Sequence, residues 1–166
     1  LDIHHSIVNK TLDNHDDEGV FRNNNDIFVV DGVTGFVAHT PPTYTDINEM
    51  IEDLCHFANS DNNDNFIHPI IKGIIIHFVL AFIHPFVDGN GRTARSLFYW
   101  YMIKKGYWLT EYLSISRIIY TNKTAYEKAF LYTENDGNDV PYFIQFHLEV
   151  MKKAFEDLKK YLQRKI

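Results

Sequence analysis

Residues 68–103 read HPIIKGIIIHFVLAFIHPFVDGNGRTARSLFYWYMI, two apolar runs with a short polar knot between them. Ile70, Ile71, Ile74, Ile75, Phe78, Val79 and Phe82 recur at helical spacing and leave little polar face, which predicts a helix running through the core. His68-Pro69 marks its start, since proline is tolerated in a first helical turn. Pro85 marks its end near His84, because proline disfavours a helical conformation in the residue before it. The chain then turns through Phe86-Val87-Asp88-Gly89. Asn90 is a candidate N-cap for a second helix that carries Arg92 and Arg95 and leads into the aromatic run Leu97 to Ile103.

Outward from this corner the patterns stay mostly helical. Thr43 or Thr45 can cap a helix reaching about Ala58, with Ile47, Met50, Ile51 and Leu54 on one face. Further helices are expected over roughly Ser114 to Thr133 and from about Pro141 to Gln163. Toward the start of the chain, Ile27 to Val30 and Val33 to Ala38 are β-branched or aromatic and flank Asp31-Gly32, a dipeptide that favours a tight hairpin. Pro41-Pro42 ends it. Polar clusters at Asp13 to Glu18, Asn23 to Asp26, Asp61 to Asn65 and Glu134 to Asp139 read as loops. The sum is a mainly α fold of about five or six helices with a short β-hairpin, in a single domain over residues 1–166.

Composition narrows the classes. A chain of 166 residues with 45% hydrophobic and 15% aromatic content has material for a packed core. A net charge of −6 argues against a general nucleic-acid binder, while leaving room for a local basic pocket around Arg92 and Arg95. Cys55 is the only cysteine, so no intrachain disulfide can form. The apolar run Phe66 to Phe86 is interrupted by His68, Lys72, His77 and His84, and no signal-peptide pattern opens the chain. The expectation is a cytoplasmic protein, or a delivered effector, with no membrane or nucleic-acid partner. Leu1 rather than Met stands first, which reads as an excised fragment lacking an upstream segment.

The chemistry concentrates in residues 84–95. Gly89-Asn90-Gly91 precedes a helix start, where unpaired amides and the positive end of the helix dipole make an anion site. Glycine also lets the backbone approach phosphate oxygens. Arg92 and Arg95, at i and i+3, can reach different phosphates of one chain. Asp88 supplies a hard oxygen suited to Mg²⁺, and His84 can accept a proton near neutral pH. Singly, each feature is more often structural: a histidine at a helix end, a turn, a surface ion pair. Together at one corner they point to phosphoryl or nucleotidyl transfer from a nucleoside polyphosphate. A metal-dependent hydrolase using His77, His84 and Asp88 is the rival enzyme, and a non-catalytic nucleotide-binding interaction domain is the rival of another class. The seven-residue step from His77 to His84 is long for a shared ion, and no His-Glu-x-x-His pattern is present.

The same residues resemble, at every fixed position, the motif of Fic-domain proteins, His-Pro-Phe-x-Asp/Glu-Gly-Asn-Gly-Arg-x-x-Arg. His77-Phe78 before the motif, the hairpin with Pro41-Pro42 after it, and more weakly Gly19-x-x-Arg22 and Tyr126, extend the likeness. The resemblance implies a Fic-type helical domain whose hairpin is a flap. It implies a protein adenylyltransferase moving AMP from ATP to a Ser, Thr or Tyr hydroxyl and releasing pyrophosphate. By motif position His84 would be the base, Asp88 would hold Mg²⁺, Gly89, Asn90 and Gly91 would form the anion hole, Arg92 would contact the phosphate chain, and Arg95 would pair with the γ-phosphate. Phe86 would anchor the loop. Tyr126 and Asn135 would line the adenine and ribose pocket, and a target protein would dock along the hairpin Ile27 to His39. Use of another nucleotide, or reversal of the modification, is the alternative within the family.

Relatives often carry an inhibitory helix, Ser/Thr-x-x-x-Glu-Gly/Asn. Here the nearest string is Asn14-His-Asp-Asp-Glu18-Gly19, which lacks the hydroxyl residue and reads as a chance match. An inhibitory helix ahead of Leu1, or an antitoxin-like partner, remains the expectation. The flap lacks the aromatic residue common before the two prolines, having Ala38, His39 and Thr40 there. His4, His5, His15, His39, His56, His68 and His147 read as surface or capping residues, and Lys152 to Lys165 as the solvated face of the last helix.

Overall fold

The computed structural model describes residues 1–30, 35, 37–60 and 66–165. In chain order they form α1 (Asp2–Val8), β1 (Val29–Val30), β2 (Val37–His39), α2 (Ile47–Asn59), α3 (Pro69–Ile83), α4 (Asn90–Lys104), α5 (Ile115–Thr121), α6 (Lys123–Asn135) and α7 (Pro141–Gln163). Short 3₁₀ turns stand at His15–Asp17, Tyr44–Asp46 and Trp108–Tyr112. The fold is mainly helical with a two-stranded antiparallel ribbon, as the periodicities require.

Helix α3 is the axis of the molecule. One side, with Ile74 and Phe78, packs on Phe98 and Met102 of α4, Ile118 of α5 and Phe143, Val150 and Met151 of α7. The other side, with Ile76, Leu80 and Ile83, packs on Ile47 and Leu54 of α2 and on Ala94 and Tyr101 of α4. Burial on both sides accounts for a segment with no polar face. Gly73 lets α3 and α4 approach: a Cβ there would lie 3.2 Å from Met102 Sδ and 3.3 Å from Tyr101 Cδ1.

Three local expectations change. The helix expected over 114–133 is two, because Asn122 interrupts it: its Nδ2 donates to the Ile118 carbonyl at 2.8 Å and competes with the helical ladder. Helix α2 is entered through the turn at 44–46 with Asp46 at its N-cap, while Thr43 and Thr45 bond each other at 3.0 Å instead of capping. Helix α4 has Gly89 at its N-cap, so Asn90 is its first residue rather than its cap. Helix α1 was not foreseen. Seven residues are too few to hold a helix alone, and burial of His4 and Val8 against the motif loop supplies the stability.

In the ribbon Val29 pairs with His39 and Val30 with Val37, leaving Ala38 as a bulge. The first strand is shorter than expected, since Ile27 and Phe28 are not in it. The Asp31-Gly32 turn, residues 33, 34 and 36 of the second strand, and the loop 61–65 lie outside the described residues.

Candidate active site

The C-terminus of α3 leaves carbonyls without helical partners, and their satisfaction builds the site. His84 sits in the left-handed region (φ 49°, ψ 56°), a conformation that costs a non-glycine residue about 1–2 kcal/mol. Its backbone N–H donates to Leu80 O at 3.1 Å, and its ring Nδ1 donates to Ala81 O at 3.2 Å. A carbonyl only accepts, so Nδ1 carries the ring hydrogen and Nε2 keeps its lone pair. Burial pushes His84 down to about 4, with the Ala81 carbonyl opposing and the nearby charges of His39 and Arg22 adding. At neutral pH the imidazole is therefore an uncharged base with one free nitrogen.

Buried Arg22 closes the same turn. Its Nε donates to His84 O and its backbone N–H to Pro85 O, each at 2.9 Å, while Nη2 reaches Pro42 O. His39, at the end of β2, donates from Nε2 to Phe82 O at 2.7 Å. Thus residues remote in sequence fix the backbone that aims His84.

The motif loop is pinned from within and from α1. Asn90 spans it, accepting from Phe86 N at 2.9 Å and donating to Phe86 O at 2.7 Å. Phe86 stacks on the His4 ring with centroids 3.6 Å apart and planes within 2°. His4 Nε2 donates to Asp88 O, and Nδ1 accepts from Gly19 N–H, both at 2.9 Å. Gly89 has φ 81°, and a Cβ on it would fall 2.5 Å from Val8 Cγ1. Arg92 bonds Asp88 Oδ2 at 3.0 Å and Thr11 Oγ1 at 2.8 Å.

Beside the loop opens a cavity of about 350 Å³, within the range of small-ligand sites. His84, Gly91 and Arg95 line one wall, the ends of both strands a second, and Ile119, Tyr126 and Phe130 a third. Gly91 leaves room for the guanidinium, since a Cβ there would meet Arg95 Nη1 at 3.2 Å and nothing else within 4 Å. Among the described residues Arg95 has no carboxylate partner. A cation, a neutral imidazole and the free amides of the first turn of α4 thus adjoin an apolar recess. This suits a ligand that is anionic at one end and flat and apolar at the other.

A family model for the Fic/DOC family matches residues 1–102. The chain belongs to the Fic/DOC family. It is similar to the protein adenylyltransferase Fic of Drosophila mojavensis, 31% identical over 118 residues that make up 71% of this chain and 22% of the relative. It is also similar to the protein adenylyltransferase Fic of Drosophila grimshawi, at 30% over 71% of this chain and 23% of the relative. The chain therefore spans under a quarter of the length of these curated relatives. A Fic family protein from Desulfovibrio desulfuricans G20 shares the fold, with a TM-score of 0.76 at 24% identity, covering 95% of this chain and 45% of that one.

Within this Fic domain the expected site residues separate. Tyr126 lines the cavity, its hydroxyl 3.3 Å from His77 Nε2, and burial pushes it up to about 12 so that it stays protonated. Asn135 does not reach the cavity; it is exposed in a shallow depression with Tyr132, Asp136 and Tyr142. Asp88, Gly89, Asn90 and Arg92 belong to the loop but do not line the cavity wall. Glu18 is not at Arg95 either: its carboxylate meets His15 Nδ1 at 2.7 Å and Lys10 N–H at 2.9 Å.

His4, His39 and His147, expected at the surface or in caps, are buried. The spacing of Phe143, His147, Val150, Met151 and Ala154 was a usable signal for the last, since all lie on one stripe of α7. His39 and Arg22 had no such signal, because their partners are carbonyls far along the chain. His77 packs edge-on against His147, with ring centroids 4.6 Å apart. Among the described residues no three His, Cys, Asp or Glu side chains converge to hold a metal.

Proposed function

We propose that this Fic domain is a protein adenylyltransferase that moves AMP from ATP to a Ser, Thr or Tyr hydroxyl. The observation that carries the proposal is His84: a neutral imidazole, locked by Ala81 O in the tautomer with Nε2 free, on the wall of a cavity shared with Arg95. In this reading Nε2 accepts the proton of the target hydroxyl as its oxygen attacks the α-phosphorus. The bond from that phosphorus to the bridging oxygen breaks, and pyrophosphate departs. First-turn amides of α4 face the charge that develops on the transferred phosphate, and Arg95 pairs with the phosphate chain. The apolar wall with Tyr126 receives the base. Val30 and Val37, both about half exposed, offer the ribbon's side chains to a docking target segment.

Asp88 suits Mg²⁺. Its side chain is 67% exposed, and only Oδ2 is engaged, by Arg92. With Asp88 the one carboxylate at the loop among the described residues, the ion would take its other ligands from phosphates and water, as Mg²⁺ commonly does. When bound it would neutralise charge on the phosphate chain.

The test is transfer of label from α-labelled ATP into proteins of a cell lysate, with His84→Ala as control. Label in the wild type and none in the variant supports the reading. Equal labelling by both removes His84 as the base. ATP binding by calorimetry without label in any protein, this chain included, replaces the enzyme with a nucleotide-binding module.

A further inference from the structure

His39 is the last residue of β2, and its ring touches two other elements. Nε2 donates to Phe82 O, two residues before His84 on α3. Since that carbonyl can only accept, Nε2 carries a hydrogen and Nδ1 is the atom left for a partner. That partner is Glu134 of α6, whose Oε1 lies 2.5 Å from Nδ1. A carboxylate oxygen only accepts, so the two form an ion pair when the ring carries a hydrogen on each nitrogen. Both side chains are largely buried, at 7% and 17% exposure, where an unpaired carboxylate would be costly. The ring centroid of His39 is 6.3 Å from that of His84.

One imidazole therefore indexes three elements that all line the cavity: the ribbon, the end of α3 with the base, and the α6 wall with Tyr126 and Phe130. Among the described residues the ribbon pairs only Val29–Val30 with Val37–His39, a ladder too short by itself to fix its position against the helices. Among the described residues, the other ribbon residues near the cavity, Val29, Val30 and Ala38, offer apolar side chains for anchorage.

We infer that the His39–Glu134 pair is a latch holding β2 in register with His84, and that its loss slows turnover without weakening nucleotide binding. This rests on the adenylyl-transfer reading, in which the ribbon aligns the target hydroxyl and His84 takes its proton. Rate in such a step depends steeply on the distance between reacting atoms, whereas the phosphate contacts of the nucleotide lie on Arg95 and α4. His39 and Glu134 are positioning residues: they act through the strand and through Phe82, not on the reacting atoms.

The experiment compares the wild type with Glu134→Ala, His39→Gln and the double variant. Gln at 39 retains a donor for Phe82 O but gives up the ring's contact with Glu134. Three readouts apply: amide hydrogen exchange at residues 37–39, the dissociation constant for Mg·ATP by calorimetry, and the rate of labelling of a fixed lysate. Each single variant is expected to lose about tenfold in protection at 37–39 and in labelling rate, with Mg·ATP affinity within about twofold, as for one lost polar contact. The double variant is expected to be no worse than the singles, since both remove the same interaction. Unchanged protection in Glu134→Ala overturns the latch, as do additive losses in the double variant. A parallel fall in Mg·ATP affinity overturns it too, by making the pair part of the nucleotide cavity. Unchanged exchange in α7 shows that the variants are folded. If the wild type labels nothing, the adenylyl-transfer reading fails, while the exchange data still decide whether the pair holds the strand.

Discussion

Gly89 and Gly91 stand two residues apart in one loop and face opposite surroundings. A Cβ on Gly89 would collide with Val8 at 2.5 Å and press on His4 Nε2 at 3.1 Å. A Cβ on Gly91 would meet only the tip of Arg95 at 3.2 Å. The difference divides the motif into a buttress and a working face. On the buttress, hydrogen-bonding capacity is mostly used: Asn90 bonds the Phe86 backbone twice, His4 uses both ring nitrogens, Thr93 donates to Gly89 O, and Arg92 joins Asp88 to Thr11, with Asp88 Oδ1 left at the edge for a cation. On the working face it is held open, at His84 Nε2, at Arg95 and at the first amides of α4. Chemistry resides where a folded chain leaves polar capacity unfilled and keeps it in place.

The largest test of this division is His84→Ala. Removing a positioned general base is expected to lower labelling by about 10²- to 10⁴-fold. The same change leaves the buttress intact, so the urea midpoint should move little. Residual activity near the wild-type level would place the base elsewhere and dissolve the working face as drawn.

The two glycines give the next contrast. Gly89→Ala combines a strained φ with overpacking against Val8 and is expected to cost about 2–4 kcal/mol of stability in urea unfolding. Gly91→Ala lies in a helix and touches only a flexible side-chain end, so its stability should stay within about 1 kcal/mol of the wild type. Its effect is expected in activity instead, through displacement of Arg95. Equal stability losses for the two variants would erase the comparison.

The division also explains what a reader of the sequence can see. The helix–loop–helix corner was legible because apolar spacing and Pro85 are local signals, and α3 ends at Ile83 as they require. The order of residues 84–95 points, for the same reason, to the groups that the proposed reaction uses. The buttress was not legible, because each of its contacts joins residues distant in sequence. His4 meets Asp88, Arg22 meets His84 and His39 meets Phe82, and nothing local to His4, Arg22 or His39 announces those partners. Asn90 shows the limit within the motif itself. An asparagine before a helix suggests a cap, but here the loop needs a crosslink more, and a glycine takes the cap.

A smaller effect is expected from His4→Ala. The change opens a gap under Phe86 and leaves Gly19 N–H and Asp88 O without their partner, costing about 2–3 kcal/mol. Because the lost contacts belong to the buttress, thermal unfolding should register the variant before Mg·ATP binding does. A variant that folds as stably as the wild type would show that α1 merely lies against the loop.

Effects of pH separate the working face from the core behind it. Burial holds His84 down at about 4, so its base form persists as pH falls from neutrality, and kcat/KM should stay level until the solution nears that value. Stability behaves otherwise. A histidine whose folded pKa lies below its unfolded one binds its proton first in the unfolded chain, so its contribution is whole above the unfolded value and is lost as pH drops toward the folded one. For His147, pushed from 6.5 down to about 3 chiefly by burial and secondarily by Arg95, that window is wide. His147→Leu removes the titration and two ring nitrogens that lack partners among the described residues. The stability gap between this variant and the wild type should therefore widen in the variant's favour as pH is lowered through the window. A constant gap would mean that His147 takes up its proton in the folded state at an ordinary pH. The aromatic cluster behind Arg95 would then be less dry than its packing implies.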